Sequence, residues 1–156
     1  MIYKLSHTTS YNYESDVTFC HNIARDIPIK INDPSAIIRL VYIDDVISSF
    51  LDLLSGGDLG GSHKNTFSVD VGPEYSITVG DLAQQVERFK ASRISMITEP
   101  VGTGLVRSLY STYVSYLPTN CFNYTVQQHE DERGMFVEML KTPNAGQFSF
   151  FTAYPG

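Results

Sequence analysis

Helical periodicity stops at Pro118 and does not return. Before that point apolar residues recur three and four apart, as one face of an α-helix requires. From about residue 122 they alternate with polar residues, as a half-buried strand requires. This break constrains the fold more than any other feature, because one chain must supply two kinds of layer. The second stretch holds about 35 residues, below the size at which a core sustains itself unaided. It reads as "FNYTVQQHED" and "RGMFVEMLKT", with "PNAG" turning the chain into "QFSFFTAYPG". A lone hairpin is only marginally stable in water, so these strands need a sheet or a body to pack on.

The first stretch alternates strands and helices. "IYKL" reads as a short strand and "SHTTSYNY" as polar loop. A helix is expected from about Ser15 to Arg25, capped by Ser15 and striped by Val17, Cys20, Ile23 and Ala24. Pro28 ends it, "PIKIN" reads as a strand, and Pro34 sets a turn in "NDPS". "AIIRLVYI" is a near-continuous apolar run, the mark of a strand buried on both faces of an α/β layer fold. Asp44 or Asp45 should cap the next helix, with Val46, Ile47, Phe50, Leu51 and Leu54 facing the core. "SGGDLGGSHKN" reads as loop and "TFSVDV" as strand. In "SITVGDLAQQVERFKASR", Thr78 is the N-cap with Asp81 three residues on, and Leu82, Val86 and Phe89 share a face. A last helix from about Gly104 to Leu117 aligns Leu105, Leu109, Tyr113 and Tyr116.

Composition narrows the chemistry. At 42% hydrophobic and 18% charged residues the chain is globular in character. Its net charge is −6 and its 11 Lys and Arg are scattered, which argues against nucleic-acid binding. No apolar run is long enough to span a bilayer, and the opening "MIYKLSHTTS" lacks the apolar core of a signal peptide. Cys20 and Cys121 give neither a disulfide framework nor metal spacing, consistent with a reduced, cytoplasmic protein. His7, His21, His63 and His129 form no ligand pair, and "VGTGLVR" places Arg107 where a phosphate loop needs its third Gly. Both are better read as ordinary surface, cap and loop residues. Arg133, at a strand entry, and Glu138, an acid inside the apolar strand "GMFVEML", stand out. A wet strand face accounts for both as readily as a ligand does.

Several stretches, in order, resemble one family. "TFCHNIARDIPIKINDPS", "LVYIDDV", "ITVGDLAQQVERFKASR", "LYSTYVSYLP" and "DERGMFVEMLKTPNAGQ" are similar to bifunctional capsular-polysaccharide enzymes. These are UDP-2-acetamido-2,6-dideoxy-β-L-arabino-hexul-4-ose reductases, which act in UDP-N-acetyl-fucosamine synthesis. The family joins an extended short-chain dehydrogenase/reductase domain of the NAD-dependent epimerase/dehydratase type to a C-terminal cupin. The resemblance implies an α/β fold followed by the first strands of a cupin barrel. It places a partial dehydrogenase domain, the substrate-binding half, at 1–118, a linker at 119–126 and cupin strands at 127–156. In the family the cupin epimerises a keto-sugar nucleotide and the other domain reduces its C4 ketone with NADPH.

The Gly-rich loop and the Tyr-x-x-x-Lys pair of that chemistry are not in this sequence, nor is the cupin's His cluster. The implied chain is therefore a middle fragment, inactive by itself, holding neither the NADPH nor the metal ion of the intact family. The expected partner is a UDP-activated amino sugar, with a homodimer in the intact family. "DERGMFVE" is similar to the D-x-R-G-x-F-x-E stretch of cupin sugar-nucleotide epimerases. By that match Arg133 contacts diphosphate and Glu138 accepts hydrogen bonds from the ligand. "IIRLVYIDD" resembles a diphosphate-binding segment, one residue out of register, which makes Arg39 a third candidate. No catalytic residue is assigned. Two other readings remain open: a non-catalytic interaction module using exposed cupin strands, and UDP-sugar binding without turnover.

Overall fold

A computed structural model describes residues 2–4, 16–56 and 72–155, with side chains at 2–4, 16 and 17 not described. Two three-stranded antiparallel sheets organise the described residues. In the first, β1 (Ile2–Lys4) and β3 (Glu74–Thr78) flank β2 (Ile37–Tyr42). Ile38 faces Ile77, and Leu40 faces Tyr75. In the second, β4 (Gln128–Asp131), β5 (Gly134–Thr142) and β6 (Gly146–Ala153) follow one another as a meander.

Among the described residues four α-helices accompany the first sheet: α1 (Asp16–Ala24), α2 (Ile43–Leu54), α3 (Val79–Ser95) and α4 (Gly104–Ser115). Three of them share one core with β2. Cys20 and Ile23 of α1, Leu82, Val86 and Phe89 of α3, and Leu109 and Tyr113 of α4 close over Ile38 and Leu40. The Phe89 ring meets Tyr110 edge-on at 5.2 Å and Tyr113 at 6.0 Å. The apolar spacings of α1, α3 and α4 are thus cashed in as expected, since each stripe finds the other two and the strand.

The α3 start shows why that helix was legible. Thr78 Oγ1 accepts a hydrogen bond from the Asp81 backbone N–H at 3.1 Å and donates to the Asp81 carboxylate at 2.7 Å. One orphan donor of the first turn is satisfied, and a negative charge sits at the positive end of the helix. The "NDPS" turn is also as read, with the Asp33 carboxylate accepting from the Ser35 backbone N–H and hydroxyl.

Other expectations are corrected. β2 is not buried on both faces along its length: Ile37 is 72% exposed and Arg39 is exposed, Val41 on their face is buried, and Ile38 and Leu40 on the other face are buried. Its sheet is antiparallel, and such sheets can leave one face in water. The apolar run therefore hid an alternation that only pairing partners reveal. Neither Asp44 nor Asp45 caps α2; Tyr42 holds that place without a side-chain bond, and both acids lie in the first turn. No residue of α2 is buried, and Ile47, Phe50, Leu51 and Leu54 are all exposed. Amphipathicity promised a face that favours burial, but of it only Val46 is part-buried. "PIKIN" forms no strand with any of the described residues; Ile29 and Ile31 pack on the core instead. In "FNYTVQQHED" only the last four residues form a strand. β3, not expected at this position, takes up "EYSIT" just before α3. Ser15, "SHTTSYNY", "TFSVDV" and most of "SGGDLGGSHKN" lie outside the described residues, as does the Val17 side chain.

The two sheets are tied at one seam. After α3, Met96 takes a left-handed conformation with φ of 57°. Lys141 of β5 then donates its backbone N–H to Met96 O at 2.7 Å, and Thr98 N donates to Lys141 O at 2.8 Å. Arg93 braces the segment between α4 and β4: its guanidinium donates to Cys121 O and lies 5.2 Å from the Tyr124 ring centroid. The marginal C-terminal meander thereby gains the body that its size requires.

Candidate functional site

The site begins at the two-residue turn between β4 and β5. Asp131 pairs with Gly134, leaving Glu132 and Arg133 as the loop. Asp at the first position and Gly at the fourth are what such a turn favours. The Asp131 side chain closes it, Oδ1 accepting the Arg133 backbone N–H at 2.8 Å. Gly134 is required here for two reasons. Its φ is +150°, and a Cβ built on it would stand 1.9 Å from Thr152 O on β6. That close approach lets Tyr154 N donate to Arg133 O at 2.9 Å, so β6 is clamped to the turn. The Tyr154 hydroxyl also donates to the Glu130 carboxylate, which pushes the phenol above its usual range.

The turn and the adjoining strand ends enclose an open hollow of about 740 Å³. That is within the range of small-molecule sites, roughly 300–1,000 Å³. Arg133, Asp131 and Glu130 supply its charge, and His129, Phe136 and Phe151 its rings. His129 pairs with Phe136 across β4 and β5, and Phe136 with Phe151 across β5 and β6. The three rings therefore form one row across the sheet. The Arg133 side chain is 90% exposed, with its Nε and Nη2 donating to Asp131 Oδ2 at 3.1 and 2.6 Å. These bonds hold the Asp131 carboxyl below its usual range. A cation beside an aromatic row can take a phosphate on the guanidinium and a flat ring on the aromatics.

The sequence candidates are not brought together. Arg133 lines the hollow. Glu138 lies further along β5, opposite Ser149, and its carboxylate pairs with Lys141 Nζ at 2.7 Å. Arg39 sits in the first sheet, bonded to the Glu74 carboxylate, which raises the guanidinium pKa further. His129, Phe136, Phe151 and Asp131 were not singled out from sequence as site residues. The "PNAG" turn alone would have missed Phe151, because the register of β5 and β6 shifts by one residue between Glu138 and Leu140; the signal for Asp131 was its two-residue spacing from Arg133.

Among the described residues no three His, Cys, Asp or Glu side chains are grouped to hold a metal ion. Gly102 and Gly104 open α4 from a turn rather than from a strand, with Arg107 in the third glycine position. Among the described residues neither feature fits the metal or NADPH. No helix among the described residues is long and apolar enough to cross a membrane.

No family model matches the chain. Over 146 residues, 93% of its length, it is 56% identical to the UDP-2-acetamido-2,6-beta-L-arabino-hexul-4-ose reductase of Pseudomonas aeruginosa. It spans 38% of that relative. Its fold is similar to that of the capsular polysaccharide assembling protein CapF from Staphylococcus aureus, with a TM-score of 0.82 and 31% identity. That match covers 97% of this chain and 40% of the other. A crystal structure of CapF with the inhibitor 3-isopropenyl-tropolone is similar at a TM-score of 0.81 and 33% identity, covering 93% and 42%. The similarity runs through both sheets, so the joining of a helical body to a strand meander is shared with these proteins.

Proposed function

We propose that this chain is the sugar-nucleotide-handling portion of a capsule-synthesis reductase/epimerase, working in the cytoplasm on a UDP-activated amino sugar. The 56% identity to a UDP-sugar reductase carries the reading. On it, residues 1–118 correspond to the substrate-binding half of an extended short-chain dehydrogenase/reductase domain. Residues 119–126 are the linker and 127–156 the opening strands of a cupin, in a homodimer when the family is intact. The chain by itself binds UDP without turning over a keto-sugar. Arg133 meets the diphosphate, where its planar fork suits phosphate oxygens; Glu138 and Arg39 are secondary contacts, each first released from its present ion pair.

Titrating UDP calorimetrically into the chain and into Arg133→Ala tests this. Binding that the substitution weakens at least tenfold supports the reading; equal or absent binding in both removes it. One observation favours a second reading, that of an interaction module. β6 is an edge strand, and Phe148 and Phe151 on it are 61% and 77% exposed. Light scattering across concentration decides it, since a strict monomer would count against strand-edge pairing.

A further inference from the structure

We propose that Asp131 is a positioning residue for Arg133, fixing the guanidinium at the hollow so that its free edge is presented to an anionic ligand. The inference rests on the reading of Arg133 as the phosphate contact. Its ground is the division of labour within one carboxylate. Oδ1 accepts the Arg133 backbone N–H at 2.8 Å and so shapes the turn. Oδ2 accepts Nε at 3.1 Å and Nη2 at 2.6 Å and so fixes the side chain. The carboxylate covers only one edge of the guanidinium. Three of its five N–H donors remain, including both on Nη1.

An arginine whose side chain is 90% exposed is otherwise free to sample many rotamers, and a ligand would have to order it on binding. Asp131 meets that ordering cost in advance. Its charge acts the other way, since a carboxylate beside the site repels a diphosphate. The two effects predict opposite signs on removal of the charge, which makes the role decidable. At an exposed site the Coulomb repulsion is screened, whereas the lost ordering is not.

The test uses the full chain with UDP as probe. In Asp131→Asn the amide oxygen can still accept the Arg133 N–H, so the turn and the fold are retained. UDP binding is expected to weaken about three- to tenfold in Asp131→Asn, although a negative charge has been removed. In an Arg133→Ala background the same change should have no further effect. The Arg133 Nε–Hε heteronuclear NOE should report an ordered side chain in the wild type and a mobile one in Asp131→Asn. Equal or tighter UDP binding by Asp131→Asn overturns the inference, as does an NOE unchanged by the substitution. Should the wild type bind no UDP, the reading of Arg133 as a phosphate contact fails, and the NOE still decides whether Asp131 fixes the side chain.

Discussion

Gly134→Ala probes the joint on which the candidate site depends. A methyl group at this position would lie 1.9 Å from Thr152 O, 2.9 Å from Thr152 C and 3.1 Å from Ala153 Cα. All three are backbone atoms, so no side chain can swing aside. The β5 and β6 backbones would have to part by about 1 Å, which takes a bond such as Tyr154 N to Arg133 O, now 2.9 Å, out of hydrogen-bond range. The φ of +150° adds strain of about 1–3 kcal/mol for any residue with a Cβ. With a lost backbone bond at about 0.5–1.5 kcal/mol, the substitution should cost about 2–4 kcal/mol. That is a large share of the roughly 5–15 kcal/mol by which domains are stable. Because β6 is an edge strand, the loss should appear first as local opening. Amide exchange at Tyr154 and along the Thr152–Ala153 end of β6 should accelerate about 30- to 800-fold, and the urea midpoint should fall. Gly146→Ala is the control: its φ is +111° but nothing lies within 4 Å of the added carbon, so it should show the strain alone. Equal losses in the two variants, or Tyr154 exchange within about twofold of wild type, would refute the steric argument.

Phe89→Ala removes the ring at the centre of the first core, 1% exposed and in contact with Tyr110 and Tyr113. It should cost about 3–5 kcal/mol in urea unfolding, and a loss below about 1 kcal/mol would mean the core is loosely packed there. Thr78→Ala deletes the hydroxyl that accepts from Asp81 N, at an expected cost of about 1 kcal/mol, with faster exchange confined to the first turn of α3. Asp131 supplies a pH prediction. Its folded carboxyl is held below the usual value of 3.8, chiefly by hydrogen bonds from the Arg133 side chain and then from the Arg133 backbone. The associated stabilisation is therefore present above that value and is lost as pH falls through the lowered folded one. A carboxyl titration followed by NMR checks this: Arg133→Ala should raise the Asp131 midpoint, and an unchanged midpoint would break the link.

Residues whose structural consequence is local were legible in the sequence. Thr78 with Asp81 fixes a helix start because cap and partner are three residues apart. Leu82, Val86 and Phe89 mark one helical face for the same reason. The change of texture at Pro118 likewise set the order of a helical body and a strand meander. Contacts between segments far apart in sequence were decided only by the tertiary structure. "AIIRLVYI" carries no record of whether its neighbours run parallel, so Ile37 was expected inside and lies in water. The α2 stripe states that a face is apolar but not what meets it. Arg39 looks in sequence like a lone charge in an apolar run, yet it has found Glu74 on another strand, at a place the sequence does not mark. The row of His129, Phe136 and Phe151 exists only once three strands are in register, and the seam at Lys141 only once β5 lies beside the end of α3. Propensity and capping act over one helical turn or one hairpin, whereas sheet pairing and burial join residues whose separation along the chain carries no periodic signal.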